Sequence, residues 1–479
     1  MKLEDQIRQK KKRVEELLEM GVSLYGGRYL RRDRARSAHE DYREGRALRV
    51  AGRLTAYRRH GRTAFADISD CSGKLQIYVR RDVVGERPYE LFKKCDVGDI
   101  LGAEGELFRT NTGEITLKVN ELKILAKALR PLPEKWHGLK DIETRFRKRY
   151  LDLISNPGVK ETFVTRSRAI STIRAFLDGR GFLEVETPMM QERIGGAVAE
   201  PFRTHHNALD ADLYLRIAPE LFLKRLLVGG FEKIYELNRS FRNEGLSRFH
   251  NPEFTMLEVY WAYADYTDMM TLTEELIAHV AMEVCGGTGV TDGEGRRIDL
   301  SPPWRRLTFE DAVREAGGVK PGDKMDVREV AGCLDLDVSG CSSDEEVMNE
   351  ILEKAASPKF IDPTFVTDYP VPLSPLARAR DDNPSLCERF ELFAGGEELA
   401  NAYSELNDPI EQRKRFERQL RSGEKEGREL DDDFVTALEH GMPPAGGLGI
   451  GIDRLVMILT GKASIREVIL FPQLRPESS

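Results

Sequence analysis

The sequence has no C-x-x-C pair, no low-complexity segment, and no apolar run near the roughly 18 residues a membrane-spanning helix needs. Each absence removes a class of function. The six cysteines, Cys71, Cys95, Cys285, Cys333, Cys341 and Cys387, are scattered. A structural zinc site is therefore not expected, and reduced thiols in a cytoplasm are the natural reading. Without a spanning segment, no membrane role is expected. The first residues, MKLEDQIRQKKKRVEELLEMG, include basic side chains but no apolar core behind them, so they do not read as a secretory leader. Neither a G-x-G-x-x-G after a strand nor a G-x-x-x-x-G-K-[ST] occurs, and Rossmann and P-loop readings fail.

What is present is ordinary in bulk and uneven in detail. A chain of 479 residues has room for two or three domains. Its net charge of −8 argues against wholesale coating of nucleic acid. Yet residues 1–60 hold 17 Lys/Arg against 9 Asp/Glu, leaving an acidic remainder. Such a basic front is either a solvated face or a local grip on a nucleic-acid backbone.

Local patterning divides the chain. Residues 1–46 read as a helical extension, with Ile7, Val14, Leu17 and Leu18 on one side of a helix that Gly21 ends. Residues 47–126 are short alternating runs separated by Arg-His-Gly, Cys-Ser-Gly and Asn-Thr-Gly. Five strands in about 80 residues predict a small closed barrel, most simply an OB-fold. Residues 127–155 read as a linker. From 156 to 479 the chain is α+β, its strands joined by hairpin-like lengths, which predicts an antiparallel sheet flanked by helices. Within it TRSRAISTIRAFLDGRG reads as a helix and FLEVETP as a strand stopped by Pro188, while 308–357 reads as a polar helical insertion.

Three distant segments place charge beside apolar residues. In FRNEGLSRFHNPEFTMLEVYWAY, strand period puts Phe254, Met256, Glu258 and Tyr260 on one face, with Arg242, Glu244 and His250 upstream. A carboxylate in such company needs a cation, a donor or a metal. ELFAGGEELANAYSELND aligns Asn401, Tyr403 and Glu405, with Glu391 and Glu398 on either side of Gly395-Gly396. GGLGIGIDRLVMILTG runs from a Gly-rich strand into a helix that starts near Asp453 and Arg454. Charges of this kind tend to converge on one site. Cations for phosphates, an aromatic face for a base and carboxylates for an amine suit a nucleotide plus a small charged molecule.

The order of these motifs carries a resemblance. A barrel, then GFLEVETPMM, FRNEG…HNPEF and GIGIDRLVM, closely resembles the class II aminoacyl-tRNA synthetases and their three signature motifs. The barrel places the chain beside the aspartate–asparagine–lysine subgroup. RIAPELFLKRLLVGGFEKIYELNRSFRNEG, NPEFTMLEVYWAYADY and ELANAYSELNDP resemble the lysine-specific members. The likeness runs from about residue 5 to 475, and three motifs in order are far more specific than one.

The resemblance implies a fold, a reaction and residue roles. The fold is an N-terminal OB-fold followed by a class II catalytic domain. The reaction joins L-lysine to tRNA(Lys) through a lysyl-adenylate made from ATP, with Mg²⁺, in a cytoplasmic homodimer built through residues 166–190. Arg242 and Arg454 are the implied catalytic residues. Arg242 would grip the α-phosphate and the amino acid carboxylate, as a planar guanidinium can. His250 would bind phosphate, Phe254 and Arg454 would sandwich the adenine, and Glu244 would bond its edge. Glu391 and Glu398 would hold Mg²⁺. Glu220 and the backbone of Gly196 would meet the α-ammonium. Glu258, Tyr260 and Glu405 would meet the side-chain ammonium, beside Asn401 and Tyr403. Aspartate or asparagine would need donors there, whereas this chain offers acceptors. In the barrel, Phe65 would stack on the middle anticodon base and Gln76 would bond its edge, with Arg58 and Glu114 touching further bases.

One residue breaks parity. Glu398 is not in step with Asn401, Tyr403 and Glu405, so a bend or bulge before 401 is required. Two other functions fit parts of the pattern. A ligase that attaches lysine to a protein would resemble a relative without the barrel. A non-catalytic RNA-binding paralogue should have lost charges such as Arg242, Glu398 or Arg454, all of which are present.

Overall fold

The computed structural model describes residues 3–133, 139–196, 199–320, 322–421 and 430–476. Residues 134–138 of the expected linker lie outside them. The chain divides into two compact units, Met1–Lys140 and Asp141–Ser479.

The first unit begins with helix α1 (Leu3–Glu19), and Gly21 takes the left-handed conformation at φ 71° just beyond it. Leu17 is fully buried, whereas Leu18 is 55% exposed. Successive helical residues point about 100° apart, so the apolar stripe is narrower than the sequence suggested. Strands β1 (Ala47–His60), β2 (Thr63–Ser69), β3 (Lys74–Arg80), β4 (Ile100–Arg109) and β5 (Ile115–Ala126) close a barrel in the order β1-β2-β3-β5-β4. Alternation sets its interior: Ala64, Ala66 and Ile68 of β2 and Leu75, Ile77 and Val79 of β3 are buried. Between β3 and β4, α2 (Glu86–Lys93) buries Tyr89 and Phe92 in the same core. The sequence reading passed over this helix, whose two aromatics at i and i+3 were its signal.

The second unit is built on an eight-stranded sheet. Its main helices are α3 (Pro157–Asp178), α4 (Glu220–Val228), α5 (Tyr266–Cys285), three helices of the 308–357 segment, namely α6 (Phe309–Gly317), α7 (Val327–Cys333) and α8 (Asp344–Ile351), and α9 (Ile452–Thr460). The strands are β6 (Leu183–Glu184), β7 (Lys233–Phe241), β8 (Glu253–Ala262), β9 (Arg305–Thr308), β10 (Thr364–Thr367), β11 (Arg389–Ala394), β12 (Glu397–Ser404) and β13 (Ala445–Gly451), in the order β9-β10-β11-β12-β13-β8-β7-β6. All inner pairs are antiparallel, and only the outermost pairs, β9 with β10 and β6 with β7, are parallel. FLEVETP yields only the two-residue edge strand β6, with the Val185 amide still bonding the Tyr235 carbonyl at 2.9 Å just beyond it.

One face of the sheet is covered. Ile173 and Leu177 of α3, Leu276 and Val280 of α5, and Leu455 and Val456 of α9 join Leu257, Val259, Leu448 and Ile450 in one core. The 308–357 segment is helical as expected but less polar inside than its sequence suggested. Phe309, Val313, Val347 and Ile351 bury their side chains with Phe360, Tyr369 and Phe393. The other face of the sheet carries the charged strand residues.

Candidate functional site

Strand register builds the site. One row of paired residues crosses the open face as Glu236, Glu258, Gly449, Asn401 and Glu391. The next row reads Ile234, Tyr260, Gly447, Tyr403 and Arg389. The glycines of β13 make the floor thin. A Cβ at Gly447 would stand 1.9 Å from Glu405 Oε1 and 2.9 Å from the Tyr260 ring. Any side chain there would displace Glu405, so the Gly-rich run is spatial before it is conformational.

The bulge required before Asn401 exists. Pairing steps from Leu392↔Ala400 to Phe393↔Glu398, so Leu399 is the extra residue and Glu398 swings toward the face of Asn401. Gly395 (φ 64°) and Gly396 (φ 87°) make the tight turn joining β11 to β12, which a side chain would strain. That turn brings Glu391 and Glu398 to one edge of the site.

Over this floor lies a cavity of about 410 Å³. Its lining includes every site residue expected in the second unit: Gly196, Glu220, Arg242, Glu244, His250, Phe254, Glu258, Tyr260, Glu391, Glu398, Asn401, Tyr403, Glu405 and Arg454.

One end is rich in buried acceptors. Glu220, Glu258 and Glu405 are each at most 6% exposed. Tyr260 donates its hydroxyl to Glu258 Oε2 at 3.1 Å, and Tyr403 donates to Glu220 Oε1 at 2.5 Å. Burial pushes the Glu258 carboxyl up to about 8, and the nearby Glu220 adds to the effect. The Glu405 carboxyl is raised by burial as well, although a neighbouring cation opposes the shift. That cation is Lys224, which the sequence reading missed. Its Nζ donates to Glu220 Oε1 at 2.7 Å and lies 2.5 Å from Glu405 Oε2. The signal was a lysine four residues after Glu220 in a helical run, LFLKRLL, whose only other charge is the adjacent Arg225. Glu236, in the same row, is already satisfied: Arg216 donates to Oε1 at 2.6 Å and Thr187 to Oε2 at 2.7 Å.

The other end gathers cations and an aromatic face. The Arg242 guanidinium carbon sits 5.2 Å from the centre of the Phe254 ring, and its buried Nε has no partner. Burial draws the Arg242 pKa below its ordinary value, and Glu398 and Glu244 partly oppose that. Arg454 donates Nη1 to the Glu398 carbonyl at 2.5 Å and Nη2 to His250 Nε2 at 3.2 Å. Burial, then Arg454, lowers the His250 pKa, so the ring is neutral and offers Nε2 as an acceptor. Asp453, beside Arg454, is an anchor. It accepts from Arg166 Nη1 at 2.5 Å and from the Thr255 amide at 2.6 Å, locking α9 to α3 and β8.

Glu391 and Glu398 fit a hard cation. Both line the cavity, and Glu391 is raised by burial and by its neighbour Glu398, against the pull of Arg389. Arg389 and Tyr369 each donate one bond to Glu391, at 2.6 and 2.8 Å, which fixes its orientation. No cluster of three or more potential metal ligands occurs among the described residues. Two carboxylates without a cage suit an ion that completes its shell with substrate phosphate and water, as Mg²⁺ does.

The barrel carries a separate surface. Phe65 is outside the core. It alternates with buried Ala64 and Ala66 and stacks on Tyr78, ring centres 4.5 Å apart. Phe108 continues the aromatic row at 5.8 Å from Tyr78. Gln76 lies on the same face, one pair along, and accepts from Thr116 Oγ1 at 2.9 Å. Arg58 is exposed and pairs with Phe65 across β1 and β2. Glu114 is exposed in the β4–β5 turn, and its carbonyl accepts from the same Thr116 hydroxyl at 3.3 Å. Tyr78 and Phe108 were missed, although alternation in KLQIYVR puts Tyr78 in step with Gln76.

Comparison with known proteins matches the geometry. Residues 141–475 match the family of class II tRNA synthetases (D, K and N), and residues 48–125 match the OB-fold nucleic acid binding domain. A lysine–tRNA ligase of Syntrophomonas wolfei is 55% identical, covering 98% of this chain and 97% of its own. One from Pelotomaculum thermopropionicum is 54% identical over 99% and 96%. One from Bacillus subtilis is 50% identical over 99% and 98%.

Proposed function

The chain belongs to the class II tRNA synthetases of the D, K and N group, and from that membership we propose that it is a lysine–tRNA ligase. It activates L-lysine with ATP to lysyl-adenylate, releases pyrophosphate, and transfers lysine to the 3′-terminal adenosine of tRNA(Lys). The observation that carries the choice of lysine is the acceptor-rich end of the cavity. Glu220, Glu258 and Glu405 converge there with two tyrosine hydroxyls and Asn401. A carboxylate side chain would face three buried carboxylates, and an amide could offer them only two donors and no charge, whereas an ammonium supplies three donors and a positive charge.

In the first step a lysine carboxylate oxygen forms a bond to the α-phosphorus, and the bond from that phosphorus to the bridging oxygen of pyrophosphate breaks. Both reactants are anionic, so positioning and charge neutralisation matter more than proton transfer. Arg242, with its open Nε, serves the carboxylate and the α-phosphate. Phe254 and Arg454 hold the adenine, Glu244 bonds its edge, and His250, once substrate displaces its bond to Arg454 and Nε2 takes up a proton, donates to a phosphate oxygen. Mg²⁺, when bound, would be held by Glu391 and Glu398 and would neutralise phosphate charge. Gly196 and Glu220 receive the α-ammonium, and Glu258, Tyr260 and Glu405 the side-chain ammonium. The assay of this reading is lysine-dependent ATP–pyrophosphate exchange, followed by charging of tRNA(Lys).

The barrel face reads the anticodon. Phe65 offers a stacking plane and Gln76 an edge contact, with Arg58 and Glu114 flanking. Phe65→Ala removes a stacking face worth about 1–3 kcal/mol per base. The expected result is weaker tRNA charging with exchange nearly intact. Equal loss in both assays would remove Phe65 from the RNA contact.

The working form is a homodimer. The edge strand β6 has one paired side, and Leu183 (51% exposed) and Met190 (56% exposed) leave apolar surface beside it within 166–190. Sedimentation should give twice the 54.4 kDa chain mass, and a stable monomer at micromolar concentration would contradict the dimer. No helix among the described residues is long and apolar enough to cross a membrane. The proposed compartment is the cytoplasm, where all six cysteines, none of them in a disulfide, stay reduced.

A further inference from the structure

Lys224 has no part in the reaction as described, yet it sits at the ammonium end of the cavity. It is fully buried on α4. One contact is a hydrogen bond to Glu220 Oε1 at 2.7 Å. The other is a close ion pair, 2.5 Å from Glu405 Oε2, and Glu405 Oε1 has no hydrogen-bond donor. Lys224 therefore gives Glu405 a compensating charge at one oxygen and leaves Oε1 open. At Glu220 it shares Oε1 with the Tyr403 hydroxyl, and Oε2 accepts no bond from the described residues.

We propose that Lys224 is the internal counter-charge that sets how many ammonium groups the cavity accepts, which makes it a specificity-determining positioning residue. The inference rests on the lysine reading above. Glu236 is cancelled by Arg216, which leaves Glu220, Glu258 and Glu405 at this end. Lysine brings two ammonium groups there, its carboxylate being directed to Arg242. Three carboxylates against two cations would leave one buried negative charge uncompensated, a costly state that uptake of a proton would relieve. Lys224 removes the mismatch. With it, and with the bound ammonium groups drawing Glu258 and Glu405 into their ionised forms, two net negative charges face two positive ones. Glu405 also keeps Oε1 open for the incoming side-chain ammonium.

A structural lysine and a charge-setting lysine differ in one sign. Glu405→Gln alone leaves one net negative charge for two ammonium groups. Removing Lys224 from that variant restores two, so the second substitution should help where it harms the wild type. The experiment is lysine-dependent ATP–pyrophosphate exchange on the full chain for wild type, Lys224→Met, Glu405→Gln and the double variant, with circular dichroism melts for each. Lys224→Met is expected to raise the lysine KM on the order of tenfold, with the ATP KM nearly unchanged. The double variant is expected to show a lower lysine KM than Glu405→Gln. A Lys224→Met KM within about twofold of wild type overturns the proposal, as does a double variant no better than Glu405→Gln. If Lys224→Met does not fold, the comparison of Glu405→Gln with the double variant decides alone. A double variant that fails to fold also counts against the proposal, which holds that deleting both charges leaves the site balanced. Absence of lysine-dependent exchange in the wild type would instead sink the lysine reading itself, so the two failures are distinguishable.

Discussion

Glu405→Gln raises the KM for lysine on the order of a hundredfold, about 3 kcal/mol, and leaves the KM for ATP within about twofold. Gln keeps the size and shape of the side chain but deletes its charge. Glu405 is 2% exposed and its Oε1 has no donor, so Lys224 at Oε2 and a bound cation are what balance its charge. The ammonium of lysine loses a partner it cannot replace from solvent. The residues proposed for ATP, Arg242, His250, Phe254 and Arg454, are untouched by the change. Glu398→Gln should invert the pattern, because it weakens the carboxylate pair that suits Mg²⁺ and harms the ATP step first. An unchanged lysine KM in Glu405→Gln would strip the lysine assignment of its main physical support. Another amino acid, or another role for β12, would then have to be sought.

Arg242→Lys lowers kcat for exchange on the order of a hundredfold or more, even though the charge is conserved. A planar guanidinium can bond a carboxylate and a phosphate oxygen together, and Arg242 also lies against the Phe254 ring. A lysine ammonium is a point charge on a flexible stem and cannot hold both anions at fixed angles. The comparison isolates geometry from charge. Arg242→Lys at near wild-type kcat would show that general electrostatic attraction suffices and that the proposed double grip is wrong.

Much of this architecture was legible because its signals are local. Alternation in the barrel strands and turn residues between them announce five strands, and the closed order β1-β2-β3-β5-β4 follows from few alternatives. The face shared by Phe254, Met256, Glu258 and Tyr260 came directly from strand period. Even the bulge at Leu399 was forced by a parity mismatch around Glu398. What stayed hidden depends on distant packing. Lys224 looks like a snorkelling helix lysine until the fold brings Glu405 beside it, 181 positions later in the chain. The thin floor at Gly447 could not be separated from a tight strand–helix junction without the position of the Glu405 carboxylate. FLEVETP has good strand composition, but it lies at the edge of the sheet next to a proline, and only two of its residues pair. Leu18 turned outward because the core needs one narrow stripe of α1.

The central claim is that the acceptor-rich end of the cavity selects lysine. ATP–pyrophosphate exchange with the wild-type chain, run separately with each of the standard amino acids, tests it most directly. Lysine is expected to support exchange, and aspartate and asparagine, the other amino acids of the D, K and N group, are not. Exchange driven by aspartate or asparagine, or no exchange with lysine, would contradict it.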